Sequence, residues 1–249
     1  MAPVSNQGRP PQGYPNDLAT FQVVRAVVEG AVDEPTGFLC NVKRLDGMLR
    51  DVVLPGLCER AKALPHEVVG PGLALLDAFP RAAGACPALV SLKSLELRVS
   101  PFMSFAVEEG ARTMIRLTRS FEFSAAHRLY RAGLSEEENL RVFGKCSNPH
   151  GHGHNYVLEV TVSGTPDEVN GTLIDPPRFD RVVKERVIDY MDHRNLNVEC
   201  GEFSSLNPSV ENIARVIWNR LEGAFTRCTL TSVRVWETPK TYAEYAGGE

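Results

Sequence analysis

Phe121-Glu-Phe-Ser-Ala-Ala-His127 and Cys146-Ser-Asn-Pro-His150-Gly-His152-Gly-His154-Asn-Tyr156 are the stretches from which the rest of the chain is read. Five of the six histidines (His127, His150, His152, His154 and His193) fall between residues 127 and 193. In a strand, alternate side chains share a face, so His152 and His154 project together, roughly 7 Å apart. Gly151 and Gly153 remove bulk around them. His127 closes an apolar–polar alternation and supplies a third imidazole. Three imidazoles with a fourth position left open describe a catalytic zinc rather than a structural one, which needs a fourth protein ligand that does not stand out here.

Composition restricts the setting. Hydrophobic residues are 43% and charged ones 23%, enough for a packed core of ordinary type. A formal net charge of -4 without a basic run argues against a nucleic-acid groove. No apolar run approaches the roughly 20 residues that span a bilayer. Residues 1–18, with Pro3, Pro10, Pro11 and Pro15, read as a disordered leader without a signal-peptide core. Six cysteines without regular spacing read as reduced thiols of a cytoplasmic protein, and only Cys146 has a reactive neighbourhood.

Outward from the histidines the pattern repeats. Phe21 to Gly30 is strand-like, Asp33 to Gly37 a turn, and Asn41 to Leu54 helical until Pro55-Gly56. Leu73 to Ala83 is a second helix weakened by Pro80, and Ser91 to Val99 and Phe102 to Val107 are strands. The second half runs Tyr156 to Gly164 (strand), Pro166 to Gly171 (turn), Arg178 to Met191 and Val210 to Phe225 (helices), then Ser232 to Glu237 and Tyr242 to Ala246 (strands). Gly30 and Gly37 correspond to Gly164 and Gly171 at one offset of 134 residues. Arg98-Val-Ser-Pro101 matches Trp236-Glu-Thr-Pro239. These matches predict a tandem duplication of one α+β unit, with a unit over 19–109 and a second over 110–249. The first has no counterpart of Phe121 to His154 and carries Cys58, Glu59 and Val99 against Asp192, His193 and Glu237. Its one histidine, His66, lies elsewhere. It is expected to hold no metal, leaving one zinc per chain.

Phe123-Ser-Ala-Ala-His-Arg-Leu129, Gly144-Lys-Cys-Ser-Asn-Pro-His-Gly-His-Gly-His-Asn-Tyr156, Asp192-His-Arg-Asn-Leu196 and Pro208-Ser-Val-Glu-Asn212 together resemble the 6-pyruvoyl-tetrahydropterin synthases and their 6-carboxy-tetrahydropterin synthase relatives of the queuosine pathway. The resemblance runs from Thr113 to Glu249. It implies the α+β tunnelling fold: an antiparallel sheet with two helices on one face, sheets joining into an oligomeric β-barrel. A homo-oligomer follows, three tandem chains supplying six units. The implied substrate is 7,8-dihydroneopterin triphosphate, with no nucleic-acid or membrane partner.

On that resemblance His127, His152 and His154 hold Zn2+, whose Lewis acidity activates the side-chain hydroxyls of the substrate. Cys146 abstracts a carbon-bound proton, Asp192 and His193 complete the relay, and Glu237 grips the pterin. Ser209 and Glu211 line the pocket from a helix start. Three alternatives stay open at this stage. His150 also satisfies a Cys-x-x-x-His-x-His pattern, so the ligand register has two solutions. The product is 6-pyruvoyl or 6-carboxy. A pterin-binding or scaffold protein is the reading from another class, against which the complete set Cys146, Asp192, His193 and Glu237 argues.

Overall fold

The structure is a computed structural model that describes residues 22–57, 70–111, 113–168 and 171–248. The expected leader over 1–18, Cys58, Glu59 and His66 lie outside the described residues. In the first half, β1 (Val23–Gly30) leads to α1 (Val42–Met48), then α2 (Pro71–Gly84), β2 (Val90–Ser100) and β3 (Met103–Glu108). The second half opens with β4 (Ile115–His127), α3 (Glu136–Phe143) and β5 (His152–Gly164). It continues with α4 (Pro176–Val183), the two-residue β6 (Arg194–Asn195), α5 (Leu196–Glu199), α6 (Val210–Leu221), β7 (Thr229–Thr238) and β8 (Thr241–Tyr245).

One sheet holds both halves, in the order β1-β2-β3-β4-β5-β7-β8, with β6 beside the end of β4. The junction is the antiparallel pair β3–β4, Phe105 opposite Leu117. One sheet face is apolar: Leu95, Leu97, Phe105, Leu117, Leu158, Val160, Val233 and Val235 are buried under the helices in a single core. The other is polar, with Arg25 and Arg98 near Glu96, and Arg234 between Glu159 and Glu244. Period-two alternation therefore sorts the strands, and the architecture is the α+β class the sequence predicts.

The halves match in detail. Gly37 N donates to Asp33 O at 2.7 Å and Gly171 N to Asp167 O at 2.8 Å, with φ +69 and +66. Asn41 caps α1 and Asp175 caps α4. Both helices pass into a π-helical turn, Leu49–Val53 and Lys184–Ile188. A Cβ on Gly30 would strike the carbonyl of Leu89; one on Gly164 would approach that of Arg227 at 3.4 Å.

Local endings differ from expectation. Helix continues past Pro55 to residue 57, directly after the π-helical segment, although Pro55 has no N–H to give to the helix ladder. Pro80 lies inside α2 and does not end it. The last helix stops at Leu221, four residues early, because Glu222 is extended and Gly223 takes φ +68. The helix α3 was not anticipated; Ser135 and Glu138 form its capping box.

Candidate metal and catalytic site

The last residue of β4 and the first of β5 meet: His127 pairs directly with His152, and Ala125 with His154. Side chains directly opposite on a ladder share a face, and so do residues two apart on one strand, which brings all three imidazoles together. Ring centroids lie 4.5 Å (His127–His152), 5.3 Å (His127–His154) and 5.0 Å (His152–His154) apart. One nitrogen from each falls within 4.8 Å of the others. His150 is exposed and outside this group. The pair His152 and His154 is the one the fold delivers to His127.

Each ring presents a buried nitrogen without a hydrogen-bond partner among the described residues: His127 Nε2, His152 Nδ1 and His154 Nε2. Unpaired buried polar atoms are costly, and three converging lone-pair donors fit a metal ion. His127 is fully buried, and its Nδ1 lies 2.7 Å from the carbonyl oxygen of Pro208. A carbonyl only accepts, so Nδ1 carries the proton and Nε2 is the free donor. Burial holds the His127 imidazole below its ordinary range, overriding the Pro208 carbonyl. Burial, with His154 beside it, does the same to His152. Both rings are thereby kept neutral, as ligation requires.

Glu237, near the end of β7, reaches into this cluster. Its Oε1 stands 3.4 Å from His127 Nε2 and 3.5 Å from His154 Nε2. Tyr156, two residues beyond His154 and on the same face, is fully buried, and its hydroxyl has no hydrogen-bond partner among the described residues. Burial raises its pKa, with smaller contributions from the nearby Glu237 and Cys146. This phenol is a site residue that the sequence reasoning missed, although the His-x-His-x-Tyr parity marks its face. The Pro208 carbonyl was missed as well.

Cys146 is half-buried in the turn Gly144–Ser147 that follows α3. Its carbonyl accepts from Leu129 N at 2.8 Å, which ties that turn to the chain just after His127. Asp192 and His193 stand on the other side, brought by β6, which runs parallel to β4 at Ala125 and Ala126. Ser124 N donates to Asp192 Oδ1 at 2.8 Å, and His193 N donates to Ser124 O at 2.6 Å. Asp192 Oδ2 lies 2.9 Å from His193 Nδ1, so the carboxylate orients the imidazole. The Ser124 N–H, and secondarily His193, hold the Asp192 carboxyl below its usual range. His193 has φ 58, unusual for a side chain with a Cβ and a mark of imposed geometry. Its ring is 82% exposed and, with His154, lines an open groove of about 470 Å³. Among the described residues no hydrogen bond joins His193 to Cys146. Ser209 caps α6 by accepting from Asn212 N at 3.4 Å, one residue after Pro208. Glu211 is exposed in the first turn of α6.

Known proteins resemble just over half of this chain. The human 6-pyruvoyl tetrahydrobiopterin synthase is 38% identical over 138 residues, which are 55% of this chain and 95% of that protein. The 6-carboxy-5,6,7,8-tetrahydropterin synthase of Haemophilus influenzae is 29% identical over 152 residues, covering 53% of this chain and 99% of that one. The Caenorhabditis elegans 6-pyruvoyl tetrahydropterin synthase structure superposes with a TM-score of 0.51 at 36% identity, over 54% of this chain and 96% of its own. A sequence profile described as 6-pyruvoyl tetrahydropterin synthase matches residues 116–248, just over half of the chain. The chain therefore belongs to the 6-pyruvoyl tetrahydropterin synthase family.

Proposed function

We propose that this protein converts 7,8-dihydroneopterin triphosphate to 6-pyruvoyl-tetrahydropterin with elimination of triphosphate, in tetrahydrobiopterin-type synthesis. The observation that carries the proposal is the convergence of three orphaned imidazole nitrogens beside Glu237 and Tyr156. His127, His152 and His154 hold the metal, and three imidazole ligands suit zinc. When bound, zinc supplies Lewis acidity to the substrate's side-chain hydroxyls. Cys146 takes the carbon-bound proton. Asp192 fixes the His193 ring so that its far nitrogen passes a proton at the groove mouth. Glu237 accepts from the pterin amide N–H and 2-amino group, an acceptor-only carboxylate meeting two donors. Ser209 and Glu211 border the pocket from the start of α6.

The higher identity to 6-pyruvoyl than to 6-carboxy relatives favours the pyruvoyl product. The test is mass spectrometry of products from zinc-loaded protein and 7,8-dihydroneopterin triphosphate. A 6-pyruvoyl product that disappears in Cys146→Ala supports the proposal. A 6-carboxy product with acetaldehyde moves the protein to the queuosine branch, and bound pterin without turnover makes it a binding protein.

The first half is proposed to be a duplicated unit without a metal site, spanning 19–109 against 110–249. The paired turns, caps and π-helical segments support it. Among the described residues β1 and β8 each have one strand neighbour, so both present a free edge. Free edges recruit strands, which supports a homo-oligomer, three chains supplying six units. Assembly is also the proposed means by which His193 of one chain meets a Cys146 of another, since among the described residues no hydrogen bond joins the two within one chain. The five cysteines among the described residues are free of disulfides, which suits a cytoplasmic setting, and no helix among the described residues is long and apolar enough to cross a membrane.

A further inference from the structure

Glu237 stands in a place that pterin binding alone does not explain. The Pro208 carbonyl fixes the His127 proton on Nδ1, so the buried Nε2 is a bare lone pair. What faces it, at 3.4 Å, is a carboxylate oxygen, another acceptor. The same oxygen lies 3.5 Å from His154 Nε2, which also lacks a partner. The His127 lone pair and the carboxylate oxygen, two acceptors aimed at one another in a largely buried space, repel unless a cation lies between them. The separations from His127 and His154 have the right size for one, and Glu237, outside the three-histidine group itself, closes the centre by a shift of its carboxylate toward His152. Four ligand atoms about 2.0–2.1 Å from a tetrahedral zinc stand roughly 3.3 Å from each other.

We propose that the Glu237 carboxylate is a fourth protein ligand of the resting metal centre, beside His127, His152 and His154. The inference rests on the metal reading of the site and adds to it a ligand that the three-histidine set does not include. It also gives Glu237 two alternating positions. The carboxylate closes the centre when the pocket is empty, and substrate entry frees it to pair with the pterin. The neighbouring strand register makes this reach possible, since Val157 opposite Trp236 and Leu158 opposite Val235 place Glu237 on the face of Tyr156 and His154. In the first half the matching residue is Val99, which cannot ligate.

The test uses the full-length protein reconstituted with Co2+, without substrate, and needs no activity. Visible absorption and chelator competition are recorded for the wild type, Glu237→Gln and Glu237→Asp. Gln keeps the shape and removes the charge, while Asp keeps the charge and withdraws the oxygen by one methylene. The proposal expects one Co2+ per chain in the wild type, a changed spectrum in both variants, and affinity lower by about tenfold or more in Glu237→Gln. Spectra identical in all three proteins overturn it while leaving the histidine centre standing, even if Glu237→Gln binds more weakly through lost charge. A wild type that takes up no Co2+ overturns the metal reading and the inference together.

Discussion

His127 shows how a residue far along the chain selects ligand chemistry. Pro208 holds the proton on one ring nitrogen, and the other is left to a metal. His127→Ala removes that donor from a set of three. Metal affinity is expected to fall by at least about 100-fold, since perturbing outer partners alone costs 10–100-fold; chelator competition measures it. Asp192 gives a pH prediction. Its folded pKa is depressed, so its stabilising contribution is present above the unfolded value and is lost as pH falls through the folded one. Melting of Asp192→Asn against wild type should therefore show a difference that is constant at neutral pH and shrinks only as pH falls through the ordinary aspartate range and below it. A difference that shrinks near neutrality contradicts the assignment. At this scale the histidine spacing was legible, because strand parity is a property of sequence. The Pro208 carbonyl was not, since a backbone oxygen carries no residue signature. Nor was the approach of Glu237 to His127, which depends on side-chain reach across two strands.

At the scale of elements, turns and caps carry the architecture. The turn at Gly171 abuts the start of α2: a Cβ on Gly171 would stand 2.6 Å from Gly70 N, at φ +66. Gly171→Ala meets both a left-handed backbone and a steric clash. It is expected to cost about 1–3 kcal/mol, read as a lowered denaturation midpoint. Gly84→Ala, with open space at its Cβ, serves as the control and should not destabilise. Strand positions were largely legible from alternation, as at Phe121 to His127. Helix α3 was not, because its eight residues bury only Asn139 and periodicity has nothing to mark. Its Ser135–Glu138 capping signature was present in the sequence nevertheless. The two-residue β6 has no periodicity at all, yet it sets the place of His193.

Across the whole molecule, the pair β3–β4 joins the two halves of the chain into one sheet under one core. The shared glycine offset is what suggested the proposed repeat; the joining of the halves edge to edge was not legible, because strand pairing between distant segments leaves no local pattern. The remaining edges govern association. Val27 on β1 is 47% exposed in the strand Val-Val-Arg-Ala-Val-Val-Glu-Gly. Val27→Lys places a charge on that edge strand and is expected to shift the protein toward smaller species in sedimentation without loss of helix or strand content. An unchanged oligomer would place the interface elsewhere. The division of labour, with one half bearing the chemistry and the other supporting it, is tested most directly by elemental analysis of the purified chain. One zinc per chain is predicted, vanishing in His127→Ala. A value near two, or zinc that persists in that variant, contradicts the account.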